Sequence, residues 1–340
     1  MIRVTTNGML RNYKSSLMNS TKHLNDAFTT VLTGRKFNAY AEDPAAATQA
    51  FRLRRSLSST AKQMDNNDAV VKKFSTAWDI IGDIKNDIVE EMGRIPALEG
   101  SSETNLSVLP ELGKVLISGA ESIVQDMNAQ YGDNFIFGGA DTLNVPFTWS
   151  KDGKLLYRGM AVDEIKQEDY DDLDDSLYVD IGLGFQENTV SGELISSSAY
   201  DSALNGLDFL GYGTDDDGLP NNVVSIMKRL GEIFQGYDLD SGTWTVGSQE
   251  EAEALVGKLE DASDNMIEEW TKLDADTTYL NTNLNRLNTT KYNLNEQIVN
   301  VEDVDLADAI MELVWAQQSY NAALQAGTSI IPQTLMDYLN

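Results

Sequence analysis

Leu259, Met266, Leu273, Leu280, Leu287 and Leu294 stand seven residues apart, and Val256, Trp270, Leu284 and Ile298 form a companion column three or four residues away. A repeat sustained this long specifies a long helix with an apolar stripe, which helices of comparable length must cover. Ser248 and Glu251 mark its start, since a serine three residues before a glutamate is the pattern of a capping box. The stretch able to cover it lies near the other end. There Ala50, Leu57, Met64, Val71 and Trp78 make one column and Leu53, Phe74, Ile81 and Ile88 another. Thr60 and Asn67 interrupt that seam, a polar choice that costs stability and fixes register. Asp43-Pro44 reads as an N-cap followed by proline at the first helical position, and the helix is predicted to run to about 92. Six prolines in 340 residues permit such lengths, because an interior proline removes a helical hydrogen bond and clashes with the preceding turn.

Both termini repeat this grammar. Leu10, Leu17, Leu24 and Val31 fall seven apart, with Tyr13 and Ala27 three residues after members of the series. A helix is predicted over about 9–33, closed by Gly34, which adopts a left-handed cap without a Cβ penalty. In 301–340 the residues Leu306, Ile310, Leu313, Leu324, Ile331, Leu335 and Tyr338 recur at helical spacing, with Gln317 and Tyr320 in the same seam. Two such seams need covering, from each other or from other chains.

The centre changes period. A helix is predicted over about 109–131, with Leu112, Leu116, Ile123 and Met127 on its buried side. The run 134–139, from Asn134 and Phe135 through Phe137 to Gly138 and Gly139, reads as a strand ending in a tight bend. Residues 147–150 and 155–158 flank Lys151-Asp152-Gly153-Lys154, a hairpin signal because Asp-Gly suits positive φ. A further strand is expected at 177–181 and a helix at 222–234, burying Val223, Ile226, Leu230 and Ile233. The predicted fold is therefore mainly α, a long antiparallel helical bundle or coiled coil built from both ends, with a β-rich domain inserted between them. The expected divisions are terminal helices at 1–42 and 300–340, a bundle at 43–135 and 248–299, and an outer domain at 136–247.

Residues that carry chemistry are scarce. The chain has no cysteine, which excludes disulfides and thiolate catalysis. Its single histidine, His23, lacks neighbours at metal-ligand spacing and reads as solvated. Gly182-Leu183-Gly184 lacks the third glycine of a dinucleotide fingerprint. Asp169, Asp171, Asp172, Asp174 and Asp175 lack the glycine a calcium loop requires, and Asp238, Asp240, Ser241 and Gly242 are a weaker echo. No cofactor, metal site or catalytic constellation is expected, and the chain does not read as an enzyme. With 54 acidic against 25 basic residues the formal net charge is −29, a field that repels nucleic acid and anionic lipid, so Arg52, Arg54 and Arg55 read as a solvated face. The opening residues lack the charged and apolar regions of a cleavable signal, and no run reaches the ~18 apolar residues of a membrane span. The expectation is a cytoplasmic chain, or one exported by a route that cleaves nothing.

The turn Gly34-Arg35-Lys36-Phe37-Asn38, followed by Glu42-Asp43-Pro44-Ala45-Ala46, resembles the corresponding turn of flagellins and their hook-associated relatives. Residues 304–311, 323–327 and 331–339 resemble the C-terminal helix of the same superfamily. Residues 128–139, with Asn134, Phe135, Phe137, Gly138 and Gly139, are similar to a segment typical of its members at the hook–filament junction, and 3–10 fits that subgroup. The likeness covers about 1–145 and 248–340; residues 38–42 depart from the usual approach to Asp43-Pro44, and 140–247 match nothing named. It implies terminal helices that pair in the core of the flagellum and are disordered in the free subunit, with Leu10, Leu17, Leu24, Val31, Leu306, Ile310, Leu313, Leu324, Ile331, Leu335 and Tyr338 forming the assembly interface. It further implies export by the flagellar type III route to an extracellular flagellum. The implied partners are a second junction protein on the hook side, flagellin on the filament side, an export chaperone and further copies in a ring. Two other readings stay open: a filament flagellin, and a cytoplasmic coiled-coil adaptor that binds partner helices.

Overall fold

The computed structural model describes residues 6–101, 106–171, 173, 176–187 and 195–330. They fall into two compact units, one made of the described residues within 1–61 and 288–340 and the other of those within 62–287, so that the divisions lie inside two long helices. The fold is mainly α with a β-containing centre, as the periodicities predict.

In the first unit, helix α1 (Thr6–Thr33) ends where Gly34 turns to φ +68° and donates its N–H to Thr30 O at 2.8 Å. Helix α2 (Pro44–Asp83) is capped by Asp43, whose Oδ1 accepts from the N–H groups of Ala45 and Ala46 at 3.1 and 2.9 Å. Both ends agree with the residue chemistry expected of them. The last turns of α8 (Gln249–Glu302) lead through a short hinge to α9 (Leu306–Ile330), capped by Asp305 Oδ1 accepting from Ala307 N–H at 2.8 Å. Helix α1 packs along α9. The pair is antiparallel, because the hydroxyl of Tyr13 meets Gly327 while Val304 N–H reaches Gly34 O at 2.9 Å.

The second unit holds a continuous core. Phe74, Ile81, Leu116, Ile123, Met127, Phe234, Leu255 and Met266 are fully buried or nearly so. Here α2 and α8 run antiparallel: Asn67 meets Leu280, and eleven residues along α2, Trp78 stacks on Trp270 at 4.8 Å. Beyond Asp83 the helix continues as a π-helical stretch (Ile84–Arg94) and then as α3 (Ile95–Gly100). The sequence pattern ended it near 92 as a plain α-helix. The widened stretch, in which Ile95 N–H reaches Glu90 O five residues back, lies just before Pro96. In an α-helix that ring would press on the carbonyl of Met92.

Helix α4 (Leu109–Asp126) packs antiparallel to α7 (Val223–Gln235). They approach closest at two glycines: a Cβ on Gly113 would lie 2.5 Å from Gly231 O, and one on Gly231 2.7 Å from Gly113 O. The N-cap of α7 is Asn222, whose Oδ1 accepts from Val224 and Ser225. Two short helices, α5 (Gln167–Asp171) and α6 (Gly206–Leu210), carry no sequence signal long enough to be read.

The strands form small antiparallel sheets. Strands β1 (Gln130–Tyr131) and β2 (Asn134–Phe135) pair around Gly132 at φ +64°. The helix predicted to reach 131 therefore stops at Asp126, and the strand predicted over 134–139 shrinks to two residues. Strands β3 (Phe147–Trp149), β4 (Leu155–Tyr157) and β5 (Met160–Ala161) form the largest sheet, with Phe147 opposite Tyr157. Its first hairpin closes at Gly153, φ +75°, as Asp152-Gly153 predicts. Strand β6 (Tyr178–Val179) pairs with β7 (Tyr200–Asp201), and β8 (Tyr237–Asp238) with β9 (Thr243–Trp244). The strand expected at 177–181 is thus shorter than predicted.

Asn67 and Asn283 show what a polar seam position does. Asn67 is completely buried; its Nδ2 donates to Leu280 O at 2.9 Å, and its Oδ1 accepts from Asn283 Nδ2 at 3.0 Å. Asn283 Nδ2 also donates to Ile181 O, and Arg286 Nη2 donates to Asn283 Oδ1 at 2.7 Å and to Gly182 O at 2.9 Å. A shift of register would strand these buried groups at about 1–3 kcal/mol each, so the network holds α2 and α8 in one alignment.

Candidate assembly interface

The family-like turn meets the α8–α9 hinge. Arg35 bridges to Asp303, Lys36 N–H donates to Glu302 O at 2.7 Å, and Lys36 Nζ donates to Asn300 O at 2.6 Å. Within the turn, Glu42 Oε2 accepts from Asn38 N–H at 2.6 Å. Arg54 closes the arrangement with a bidentate pair to Glu302, Nε to Oε1 at 2.7 Å and Nη2 to Oε2 at 2.5 Å. That hydrogen bond and charge hold the Glu302 carboxyl below the usual glutamate range. Arg54, read as part of a solvated face, instead fixes the hinge, as its planar fork suits a carboxylate.

On α1, Tyr13, Leu17, Leu24 and Val31 are half-buried and Ala27 is buried, so the predicted seam is the face turned toward α9; Leu10, at its end, is exposed. On α9 the covered positions are Ala309, Leu313, Ala316, Tyr320, Ala323 and Gly327, again alternating four and three. Of the residues placed in the C-terminal seam, Leu313 and Tyr320 lie on that covered face. Leu306, at the start of the same stripe, is exposed by 54%, and Ile310 and Leu324 lie beside it, exposed by 46 and 41%. The predicted seam thus straddles a covered column and an exposed one. A helix apolar on most of its circumference does not reveal which stripe a partner covers. Ile331, Leu335 and Tyr338 lie outside the described residues.

Further large apolar side chains are exposed: Met311, Val314 and Trp315 on α9, the last by 74%, and Met18, Phe28 and Leu32 on α1. The heptad reading passed over them because they are off its columns. Each would gain about 1.5–3 kcal/mol if fully covered.

The segment similar to junction proteins is built inward. Phe137 is fully buried edge-on to Phe209, with ring centroids 5.8 Å apart, and its carbonyl accepts from Tyr157 Oη at 3.2 Å and Gly206 N–H at 3.0 Å. Gly138 bridges to Asn205, and a Cβ there would lie 2.2 Å from Asp141 O. Gly139 sits at φ +65°, while Asn134 is exposed and Phe135 half-buried. Asn128 acts as a strand by side chain alone, donating to Phe147 O and accepting from Phe147 N–H at 2.8 and 2.9 Å.

Capping residues absorb most of the other polar motifs. Glu251 leaves the expected capping box half made: Ser248 Oγ accepts from Glu251 N–H at 3.1 Å, but the Glu251 carboxylate turns to Arg229 at 2.7 Å. Asp238, Asp240, Ser241 and Gly242 form the β8–β9 turn, with Asp238 accepting from Asp240 N–H and Ser241 Oγ. Asp169 and Asp171 accept from Lys166 N–H and Gln167 Nε2; Asp172, Asp174 and Asp175 lie outside the described residues. Among the described residues, no group of three or more His, Cys, Asp or Glu side chains could hold a metal ion. No described helix is long and apolar enough to cross a membrane.

Residues 256–339 match the family model of the bacterial flagellin C-terminal helical region. No curated protein matches the chain. Among solved structures it is similar to a "putative flagellar hook-associated protein" from Vibrio parahaemolyticus, at 17% identity over 77% of this chain and 100% of that one, with a TM-score of 0.58. FlgL of Bacillus cereus aligns at 16% identity over 75% of this chain and 99% of its own, with a TM-score of 0.44. FlgL of Xanthomonas campestris aligns at 12% identity over 73% and 99%, with a TM-score of 0.48. The flagellin likeness read from the residues holds over 256–339, the stretch that carries most of α8 and all of α9, and the overall fold is the one shared with the Vibrio parahaemolyticus protein.

Proposed function

We propose that the chain is a structural subunit of the bacterial flagellum, at the junction between the hook side and the flagellin filament, and that it assembles through α1 and α9. The observation that carries this reading is a coincidence of place. The residues matching the flagellin C-terminal region include α9, the helix that exposes Leu306, Ile310, Met311, Val314 and Trp315. The inward-built 128–139 segment and the likeness of fold favour the junction over the filament. The proposed partners are a junction protein toward the hook, flagellin toward the filament, an export chaperone and further copies in a ring. Copies stacked head to tail would form an open, heterologous interface. In this reading the chain catalyses nothing and works outside the cell, reached unfolded through the flagellar exporter.

The test is a pair of substitutions in the α1–α9 unit. Leu24→Asp and Leu313→Asp should each abolish assembly while the helical circular dichroism and melting of residues 62–287 stay as they are. Loss of that helical signal along with assembly would overturn the division of labour. Long filaments from the purified chain alone would favour a filament flagellin. Detection confined to the cell interior, at levels independent of the exporter, would favour a coiled-coil adaptor.

A further inference from the structure

The charge of −29 is not shared between the two units. Residues 1–61 and 288–340 contain ten basic and ten acidic side chains, so the unit carrying α1 and α9 is formally neutral. Residues 62–287 contain 15 basic and 44 acidic side chains and therefore hold the whole −29. The unit with the uncovered apolar faces is the one without net charge.

We propose that ionic strength regulates assembly through this partition: apolar faces of the neutral unit attract, and the polyanionic unit of each copy repels its neighbours. The inference rests on the reading that copies assemble through α1 and α9. Docking the neutral unit meets no net Coulomb cost, yet it concentrates 29 negative charges per copy in one assembly. The reach of that repulsion is the Debye length, about 30 Å at 0.01 M salt and about 8 Å at 0.15 M. Added salt should then strengthen assembly. A contact made by opposite charges behaves the other way, weakening as salt rises. Exposed acids on α8, among them Glu250, Asp261, Asp264 and Asp274, contribute to the field.

Salt also strengthens apolar burial by exclusion from the surface, so the test must separate screening from salting-out. Sedimentation velocity of the full chain is measured between about 0.01 and 0.15 M NaCl, the range over which the Debye length contracts most usefully. The association constant should rise on the order of tenfold as screening sets in. A variant with Glu250→Gln, Asp261→Asn, Asp264→Asn and Asp274→Asn should associate more tightly at the lowest salt and respond less to added NaCl. Two variants carrying half of these changes each should fall between, and keep the comparison available if the quadruple variant folds poorly. Association that is flat or weakens with salt, yet is lost in Leu313→Asp, would overturn the inference and leave assembly through α9 standing. An equal salt response in wild type and charge variants would assign the effect to salting-out and likewise overturn it. No association at any salt would count against the assembly reading, and the inference would fall with it.

Discussion

Residues 62–287 bury Phe74, Leu116, Phe137, Tyr157 and Phe234 almost completely, whereas the buried hydrophobic side chains described in the other unit are three alanines, Ala27, Ala50 and Ala309. Both units consist of long helices with heptad seams, so periodicity does not separate them. What separates them is the supply of partners. In the larger unit α2 and α8 receive α4, α7, the π-helical stretch and the sheets, and their stripes close. In the smaller one α1 and α9 have each other and the ends of α2 and α8. Small residues let those helices meet, and larger apolar ones remain outside. A heptad repeat therefore fixes that a face must be covered without saying whether the same chain covers it.

The sharpest way to break this comparison is to delete apolar volume on each side. Phe234→Ala, which removes a ring packed against Gly100, should cost about 3–5 kcal/mol of unfolding free energy. Leu17→Ala, at a half-buried seam position, should cost about 1 kcal/mol in the isolated subunit. Equal losses in denaturant titrations would mean that the α1–α9 pair is as complete as the larger unit.

Titration offers a subtler handle on the larger unit. Burial pushes the Lys73 ammonium down to about 8 from the 10.5 of a free side chain, while its Nζ donates to Ser202 O at 2.8 Å. Above about pH 8 the unfolded chain holds a proton that the folded one has lost, so stability should rise with pH at up to ~1.4 kcal/mol per unit. The window closes near pH 10. There the unfolded Tyr200 phenol ionises before the folded one, whose value burial raises, and the slope reverses. Urea midpoints at about pH 8 and 9.5 measure the rise; Lys73→Met should flatten it, and an unchanged slope would assign it to another group.

The smallest expected effect lies in the other unit. Arg54 holds the Glu302 carboxyl below its ordinary value, so the pair stabilises the hinge above the glutamate range and is lost as pH falls through the depressed folded value. Arg54→Ala should raise the Glu302 titration toward its ordinary range and abolish that contribution, at a cost of no more than ~1 kcal/mol because the guanidinium is half exposed. A carbon-13 titration of the Glu302 carboxyl reads the shift directly. An unmoved titration would show that the backbone contacts of Lys36 and Val304 hold the hinge by themselves.

Much of the framework was legible because local chemistry decides it. Asp43 and Ser248 cap helices, Gly34 ends one, and Asp152-Gly153 turns a hairpin, each through contacts with residues close in sequence. Asn67 was legible as a register device from its place in an apolar column. The losses came where distant partners decide. Glu251 belongs to a capping box by spacing, but Arg229 offers it a charge-assisted bond. Helix α4 ends early because Asn128 is drawn to the backbone of Phe147. On α9 one predicted column, with Leu313 and Tyr320, is covered and the other, with Ile310 and Leu324, is exposed, and nothing along a helix apolar on most sides distinguishes the two.

The π-helical stretch has a consequence for how one chain segment serves two sets of neighbours. The column Leu53, Thr60, Asn67, Phe74, Ile81, Ile88 continues by sevens to Ile95, yet Ile95 is exposed while Pro96, Ala97 and Gly100 beyond it are buried. The wider turn rotates the azimuth of everything after it. In the larger unit it works as a phase shifter between two gears, one cut to mesh with α8 and the next cut to mesh with α4 and α7. Without that slip, one of the two apolar faces in this continuous helix would point into water.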